Sequence, residues 1–510
     1  MNFTPIARPL FKSVDARTMR ASADIERTQR RVLRQFMEYG KNTLWGREYG
    51  FSPDLTPSAY ASRLKINGYE TFRPYVMRML AGEKDILCPG TVKRYAQSSG
   101  TSGGKSKYIP LPPRSLKRCH YAGSTAVVAR YLSNYPDSRI FSGRSLILGG
   151  SYANELSLPD NVKVGDLSAS LIDCINPVAN LFRAPGKRLA LMSDWSQKLP
   201  RLVDATRRAN IVTLSGVPSW FLAVLRGVLA AGQATELHQI WPGLEVFFHG
   251  GISFAPYRAL YDSIIDPTKM RYMETYNASE GFFALQASPD DDGMLLLADV
   301  DVYYEFVPLS ALDSDSPAAV PAWETVKGET YALVITSSNG LWRYMIGDTV
   351  KVVSTDPLKI KITGRTGAYI NAFGEELMIC DAEAAMARTC AATGASVTDY
   401  TAAPVFTSAT VRGHHQWAIA FDRAPADMQL FAATLDRELC NENSDYQAKR
   451  AGNIFLAPAA VTPVSQKAFD QWLLSTGKLG GQRKIPRLRN DRSIIDSIID
   501  INNKLTHNAP

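Results

Sequence analysis

Apolar residues recur at helical spacing over 15–39, where Ile25, Val32, Leu33 and Phe36 alternate with Arg27, Arg30, Arg31 and Arg34. That pattern predicts an amphipathic helix with a solvated arginine face. A glycine-punctuated turn over 43–51 follows, then a helix over about 56–81 and a short strand at Val92–Ala96. Beyond residue 110 the pattern becomes regular. A helix over 114–133 precedes the apolar run Ser145–Leu148, which ends in Gly149-Gly150. A helix over 195–209 precedes Ile211–Ser215, ending in Gly216, and Val217 opens an apolar helix to about Ala231. Leu244–His249 then runs into Gly250-Gly251, with a helix near 256–264. Strand, glycine turn and helix in alternation predict an α/β architecture with ligand groups at the strand ends.

From about residue 294 the texture changes. Met294–Leu297, Val302–Val307, Tyr331–Thr336 and Thr349–Val353 read as strands joined without helices, which predicts a β-barrel or antiparallel sheet. Residues 313–321 read as a loop, and Gly364, Gly367 and Gly374 mark 364–374 as a hinge. The remainder predicts a compact α+β domain: helix 375–389, strands near 396–400 and 416–422, helix 426–440, strand 453–457 and helix 465–475. The expected architecture is therefore α/β. A large N-terminal domain over 1–363 combines α/β sheets with a β-barrel, a hinge spans 364–374, and a small mobile α+β domain spans 375–510.

Composition narrows the function classes. The 510 residues are 45% hydrophobic and 21% charged, ordinary for a soluble globular chain. The formal charge of +8 comes from scattered Lys and Arg with no run of five, so no nucleic-acid partner is expected, and an anionic substrate suits the sign. Six cysteines without a C-x-x-C pair read as reduced thiols of a cytoplasmic protein, and six histidines show no zinc spacing. Met1–Arg20 does not read as a signal peptide. No stretch reaches the roughly 20 apolar residues needed to cross a bilayer. The expectation is a cytoplasmic monomer without a membrane partner.

Candidate chemistry begins at Gln97–Pro110, which gathers Ser98, Ser99, Gly100, Thr101, Ser102, Gly103, Gly104, Lys105 and Lys107. Glycines let backbone N–H groups approach a ligand, while hydroxyls and ammonium groups add donors, a chemistry suited to polyphosphate. Gly104-Lys105-Ser106 matches half of a Walker loop, but the first glycine is replaced by Ser99 and the Tyr108–Pro113 run cannot open a helix. The segment reads as a phosphate loop of another kind, or as a polar surface loop. Tyr276-Asn277-Ala278-Ser279-Glu280 offers a ring to stack on a base, an amide to read its edge and a carboxylate for Mg²⁺; the alternative is a turn with a packed Tyr and an exposed Glu. Gly347-Asp348, read as preceding a strand, offers a bidentate acceptor for ribose hydroxyls or an ordinary hairpin turn. Arg365 at the hinge can reach a phosphate or ribose oxygen, or is a surface Arg. The basic glycine loop Lys478–Arg487 can carry a lysine on a mobile domain into an active site, or is a solvated tail. His249 reads as a core or supporting histidine, and no Ser/His/Asp or Cys/His arrangement indicates a covalent nucleophile.

Taken in order, these motifs resemble the acyl-adenylate-forming superfamily that includes firefly luciferase. More specifically, they resemble the auxin-responsive Gretchen Hagen family of acyl acid–amido synthetases in its bacterial form. The resemblance is carried by Ser98–Gly104 with Lys107 and Ile109-Pro110, Tyr276–Ala284 and Arg343–Asp348. Gly216–Trp220, His249–Gly251, Asn443–Tyr446 and Gly481–Arg487 support it. It implies an ATP- and Mg²⁺-dependent ligase that adenylates an aryl or alkyl carboxylic acid and passes the acyl group to an amine or amino acid. A CoA ligase forming a thioester is the alternative within the superfamily, and a non-catalytic nucleotide sensor lies outside it. Carried over, Ser98, Ser99, Gly100, Thr101, Ser102, Gly103 and Lys107 would hold phosphates. Gly250, Gly251, Asn277 and Ser279 join the ATP site, Tyr276 packs on adenine, Glu280 binds Mg²⁺, and Asp348 binds ribose. Arg365 and Lys484 are the implied catalytic cations, with Lys478 competing for the second role. The acyl pocket draws on Tyr121, Val217, Pro218, Trp220 and His249. Two departures from the family pattern stand out: the third motif lacks the second arginine common in plant relatives, and the chain is shorter than they are.

Overall fold

The computed structural model describes the chain outside residues 1, 99–106, 153, 155, 157, 252–253, 255–256, 313, 315–316, 367–368, 371, 374, 376, 407–412, 451–455, 476–484 and 508–510. At Ser196, Ser219, Trp220, Ala223, Ser444, Asp445, Ala448 and His507 it describes the backbone alone. Two compact units emerge, Met1–Ile346 with Val350–Lys361, and Gly347–Thr349 with Ile362–Pro510.

The first unit opens with two helices, Thr4–Ala23 and Ile25–Gly40, where one was expected. Asp24 leaves helical geometry (φ −125°, ψ 70°), and its carboxylate accepts from Arg27 N at 3.2 Å, capping the second helix. Val32, Leu33, Phe36 and Met37 on that helix are buried, while Arg27 and Arg30 face solvent.

Strands β1 (Arg94–Ser98) and β2 (Lys107–Pro110) form an antiparallel hairpin. β3 (Arg144–Ile147) enters the main sheet, whereas β4 (Lys163–Gly165) pairs with β1 in parallel. β5 (Arg183–Ala184), β6 (Ile211–Gly216), β7 (Val246–Gly250) and β8 (Arg271–Ala278) continue the main sheet. Through them run the parallel pairings β5–β3–β6–β7–β8. Helices Trp195–Arg207 and Pro218–Gly232 supply a core of Leu202, Phe221, Val224 and Leu225 against Leu146, Leu214 and Phe247.

The texture change at 294 is real, but the barrel is not formed. β9 (Gly281–Gln286), β10 (Met294–Leu296), β11 (Val302–Pro308), β12 (Val320–Pro321), β13 (Thr330–Ser337), β14 (Leu341–Thr355) and β15 (Leu358–Arg365) extend the parallel strands instead. The result is one twelve-stranded sheet in the order β12-β11-β13-β14-β15-β10-β9-β8-β7-β6-β3-β5. Antiparallel β9 pairs directly with β8 through a two-residue turn, so the apolar strands satisfy their edges by joining the existing sheet.

In the second unit, β16 (Tyr369–Ile370) and β17 (Leu377–Met378) form a small hairpin, and β18 (Ser396–Val405), β19 (His414–Arg423) and β20 (Ala460–Val464) form a sheet. Helices Ile379–Thr393 and Met428–Glu442 pack a core of Ala385, Trp417, Phe431 and Leu435. The helix expected from 375 starts at Ile379, because Asp381 accepts from Met378 N at 3.1 Å and caps it there. Most of the strand expected at 453–457 lies outside the described residues, and the strand that is described comes later, at β20. Glu375 is fully buried; its carboxylate accepts from Ala372 N (3.2 Å) and Phe373 N (2.6 Å) and meets His415 Nε2 at 2.7 Å.

Candidate active site

The parallel strands set the geometry. Gly216 lies opposite His249, and Gly250 opposite Thr275, so Gly216-Val217-Pro218 and Gly250-Gly251 leave the sheet, and Tyr276-Asn277 run past the last pairing with β7, at one carboxyl edge. In open α/β sheets that edge is where ligands bind. Gly216 ends the strand, Val217 is the N-cap of the next helix, and Pro218 begins it, its missing N–H costing nothing at the first helical position. Gly250 is required by packing: a Cβ there would lie 2.3 Å from Thr275 O on the neighbouring strand. Gly251 has φ +80°, a turn conformation that favours glycine.

The hydroxyl–glycine segment connects β1 to β2, with Ser98 directly opposite Lys107. It leads into a strand rather than a helix, as its Pro110 and Pro112 require. Ser99, Gly100, Thr101, Ser102 and Gly103 lie outside the described residues, as do Lys105, Lys478 and Lys484. Lys107 is described. Its Nζ lies 3.1 Å from the Tyr344 hydroxyl and 5.8 Å from the ring centroids of both Tyr69 and Tyr344.

Tyr276 and Asn277 close β8, with a register shift between them, and Ser279-Glu280 forms the turn into β9. The exposed-Glu alternative fails: Tyr276 is 4% and Glu280 6% exposed. Tyr276 meets Phe283 edge-on at 4.9 Å. Beyond the turn, Phe282 N donates to Cys119 Sγ at 3.2 Å.

Gly347-Asp348 lies inside β14, not before a strand as its sequence suggested. Within the second unit, Arg365 Nε donates to Asp348 Oδ1 at 2.8 Å, and Thr366 N donates to Gly347 O at 2.8 Å. The two residues that sequence placed in ribose and phosphate roles are thus brought together. Arg343, in the same motif, does structural work. Its guanidinium chelates Glu305 (Nε to Oε2 2.9 Å, Nη2 to Oε1 2.9 Å) and donates to the Ala61 carbonyl at 2.8 Å. Both partners are buried, which raises the Glu305 carboxyl while the guanidinium opposes that shift.

Of the expected acyl-pocket residues, Val217 and Pro218 sit at the carboxyl edge, and Pro218 O accepts from the Tyr261 hydroxyl at 2.7 Å. Tyr121 begins the helix Tyr121–Asn134, its hydroxyl donating to Leu171 O at 2.7 Å. The Trp220 side chain lies outside the description. His249 is buried on β7 and stacked on Phe254 at 4.5 Å, with no partner for Nδ1 among the described residues. Burial, reinforced by the Arg258 charge, pushes its pKa down to about 3, so the ring is neutral at physiological pH.

Among the described residues no group of three or more His, Cys, Asp or Glu could hold a metal ion. A single buried carboxylate in a turn, Glu280, suits Mg²⁺, which binds through one or two carboxylates together with substrate phosphates. Sequence reading gave Tyr344 and Asn339 no role. Tyr344 lies against Lys107, and the fully buried Asn339 carries its Nδ2 to Ser279 O at 3.4 Å. Only the Ser337–Gly340 turn composition hinted at the second. No helix among the described residues is long and apolar enough to cross a membrane.

The chain is similar to known proteins along most of its length. Residues 16–199 match the GH3 family N-terminal domain, 295–365 its central domain and 380–493 its C-terminal domain. A probable indole-3-acetic acid-amido synthetase, GH3.1 of Oryza sativa subsp. japonica, is 22% identical over 91% of this chain and 88% of its own. Indole-3-acetic acid-amido synthetase GH3.4 of Arabidopsis thaliana is 20% identical over 94% and 93%. Among solved structures, GH3.15 acyl acid amido synthetase superimposes with TM-score 0.76 at 18% identity, over 97% of this chain and 96% of that one. A 2-hydroxyisobutyryl-CoA ligase bound to its acyl-adenylate gives TM-score 0.59 at 13% identity, over 94% and 91%.

Proposed function

Since the chain belongs to the GH3 family, we propose that it is an ATP-dependent acyl acid–amido synthetase. The observation carrying this reading is the common carboxyl edge, where Val217, Gly250-Gly251 and the Tyr276–Glu280 segment converge. In the first step a carboxylate oxygen attacks the α-phosphorus of ATP; the acyl–phosphate bond forms, the α–β bond breaks and pyrophosphate leaves. In the second an amine attacks the acyl carbon, the carbon–oxygen bond breaks, AMP leaves and the ammonium proton passes to solvent. Neither step needs a covalent nucleophile. Both need positioning and charge neutralisation.

In this reading Ser98 through Gly103 and Lys107 hold the phosphates, while Tyr276, Asn277 and Ser279 border the adenine and Asp348 takes the ribose. Mg²⁺ held by Glu280 would neutralise charge on the phosphates. Arg365 stands beside the Asp348 carboxylate, and Lys484 on the smaller C-terminal domain would reach the α-phosphate or the acyl oxygen during adenylation. The apolar residues beside Val217 and the neutral His249 suit an aryl or alkyl acid. The relatives named indole-3-acetic acid-amido synthetases support an amide product and hence an amine acceptor, which in this reading is an amino acid.

The test is a screen of carboxylic acids for acid-dependent pyrophosphate release, followed by AMP release with amino acids or CoA added. Amino-acid-dependent AMP and an amide product are expected. AMP release that needs CoA alone would replace this reading with the thioester-forming one, and ATP binding without pyrophosphate release against any acid would overturn both.

A further inference from the structure

We infer that Asn339 is a positioning residue for the turn that carries Glu280, an inference that rests on the metal role given to Glu280 above. Asn339 begins no motif and touches no expected ligand. It sits in the turn between β13 and β14, fully buried, with its side chain reaching two other segments. Its Oδ1 accepts from the Ser115 hydroxyl at 2.7 Å, and its Nδ2 lies 3.4 Å from the Ser279 carbonyl. A carbonyl can only accept, so Nδ2 must face Ser279, and the amide orientation is determined by chemistry. Ser115 is fully buried as well.

The consequence follows from where Ser279 O lies. That carbonyl belongs to the peptide joining Ser279 to Glu280, so its direction sets the plane from which the Glu280 side chain departs. The turn has only two residues between Ala278 and Gly281, which pair across β8 and β9. On its far side, Phe282 N is held by Cys119 Sγ at 3.2 Å, and the Phe282 ring fills the space at Gly123, where a Cβ would come within 2.4 Å. With that side anchored, Asn339 restrains the 279–280 peptide from the other side. The same residue lies two positions before the strand bearing Tyr344, and Ser115 follows the strand bearing Lys107, so one amide links three motif-bearing segments. Among the described residues the neighbouring Ser337 and Ser338 hydroxyls are buried without partners, whereas the Asn339 amide reaches the Glu280 segment.

The experiment is calorimetric titration of ATP at varied Mg²⁺, beside titration of AMP in metal-free buffer, on the full chain and on Asn339→Ala and Ser115→Ala. Asn339→Ala should require at least tenfold more Mg²⁺ for half-saturation, with AMP affinity within twofold of the parent. Ser115→Ala should show the same pattern at about threefold, and it carries the test if Asn339→Ala does not fold. An unchanged Mg²⁺ requirement, or Mg²⁺ and AMP affinities falling by the same factor, overturns the positioning role. Wild-type ATP binding that is indifferent to Mg²⁺ would instead overturn the metal role of Glu280, and this inference with it.

Discussion

Lys107 Nζ and the Tyr344 hydroxyl lie 3.1 Å apart across 237 positions of sequence, joining the strand after the hydroxyl–glycine loop to the strand of the third motif. The ammonium also lies near the rings of Tyr69 and Tyr344, each 5.8 Å away, so its direction is restrained from two sides. Lys107→Met should lower acid-dependent pyrophosphate exchange about 10²-fold, the usual cost of losing one aimed donor. Tyr344→Phe keeps the ring and should cost about tenfold or less. Equal losses in the two variants would mean that Lys107 acts only through Tyr344.

Gly250→Ala tests the backbone approach at the carboxyl edge. Its Cβ would meet Thr275 O at 2.3 Å, a backbone atom that cannot swing away. Overpacking should destabilise the first unit by about 1–3 kcal/mol in urea unfolding. It should also displace Tyr276, seen as weaker AMP binding. Normal AMP affinity at reduced stability would separate the strand packing from the nucleotide site.

The Arg343–Glu305 pair is buried on both sides. Arg343→Met leaves an unpaired carboxylate in the core and should cost about 3–5 kcal/mol of stability. Replacing both residues, as Arg343→Met with Glu305→Leu, should recover much of that loss. Chemical denaturation of the two variants measures the difference, and a fully additive double variant would show that the pair is not coupled.

His249 supplies a pH dependence. Its folded pKa is pushed down to about 3, below the ordinary value of 6.5, so the unfolded chain binds the extra proton first. Its contribution is complete above pH 6.5 and is lost as pH falls from there toward about 3. At about 1.4 kcal/mol per pH unit, the loss between pH 7 and pH 5 is about 2 kcal/mol. His120, buried with its pKa lowered to about 4, acts in the same direction. His249→Gln should therefore lose about 2 kcal/mol less than wild type over that interval, read from urea midpoints at both pH values.

Much was legible from local pattern. The apolar runs ending in Gly216 and Gly250-Gly251 are strands ending in turns, because alternation of β-formers, glycine and helix formers depends on near neighbours alone. The order of the motifs along the chain was enough to identify the family. Helix boundaries were less legible: Asp24 splits one expected helix, and Asp381 sets the start of another, through capping bonds that compete with equally plausible continuations.

The sequence by itself determined that this is an α/β chain of the GH3 family with polar, glycine-rich turns at its strand ends. Tertiary structure alone decided which strands neighbour one another. Strand pairing is non-local, and an antiparallel set that could close on itself is indistinguishable in periodicity from one that extends a parallel sheet. That choice places Asp348 inside β14, buries Glu280 at 6% exposure and commits Arg343 to Glu305. Tertiary structure also supplied two contacts that no local pattern encodes: Lys107 meets Tyr344, and Asn339 reaches Ser279, only because the fold brings distant segments within hydrogen-bond reach.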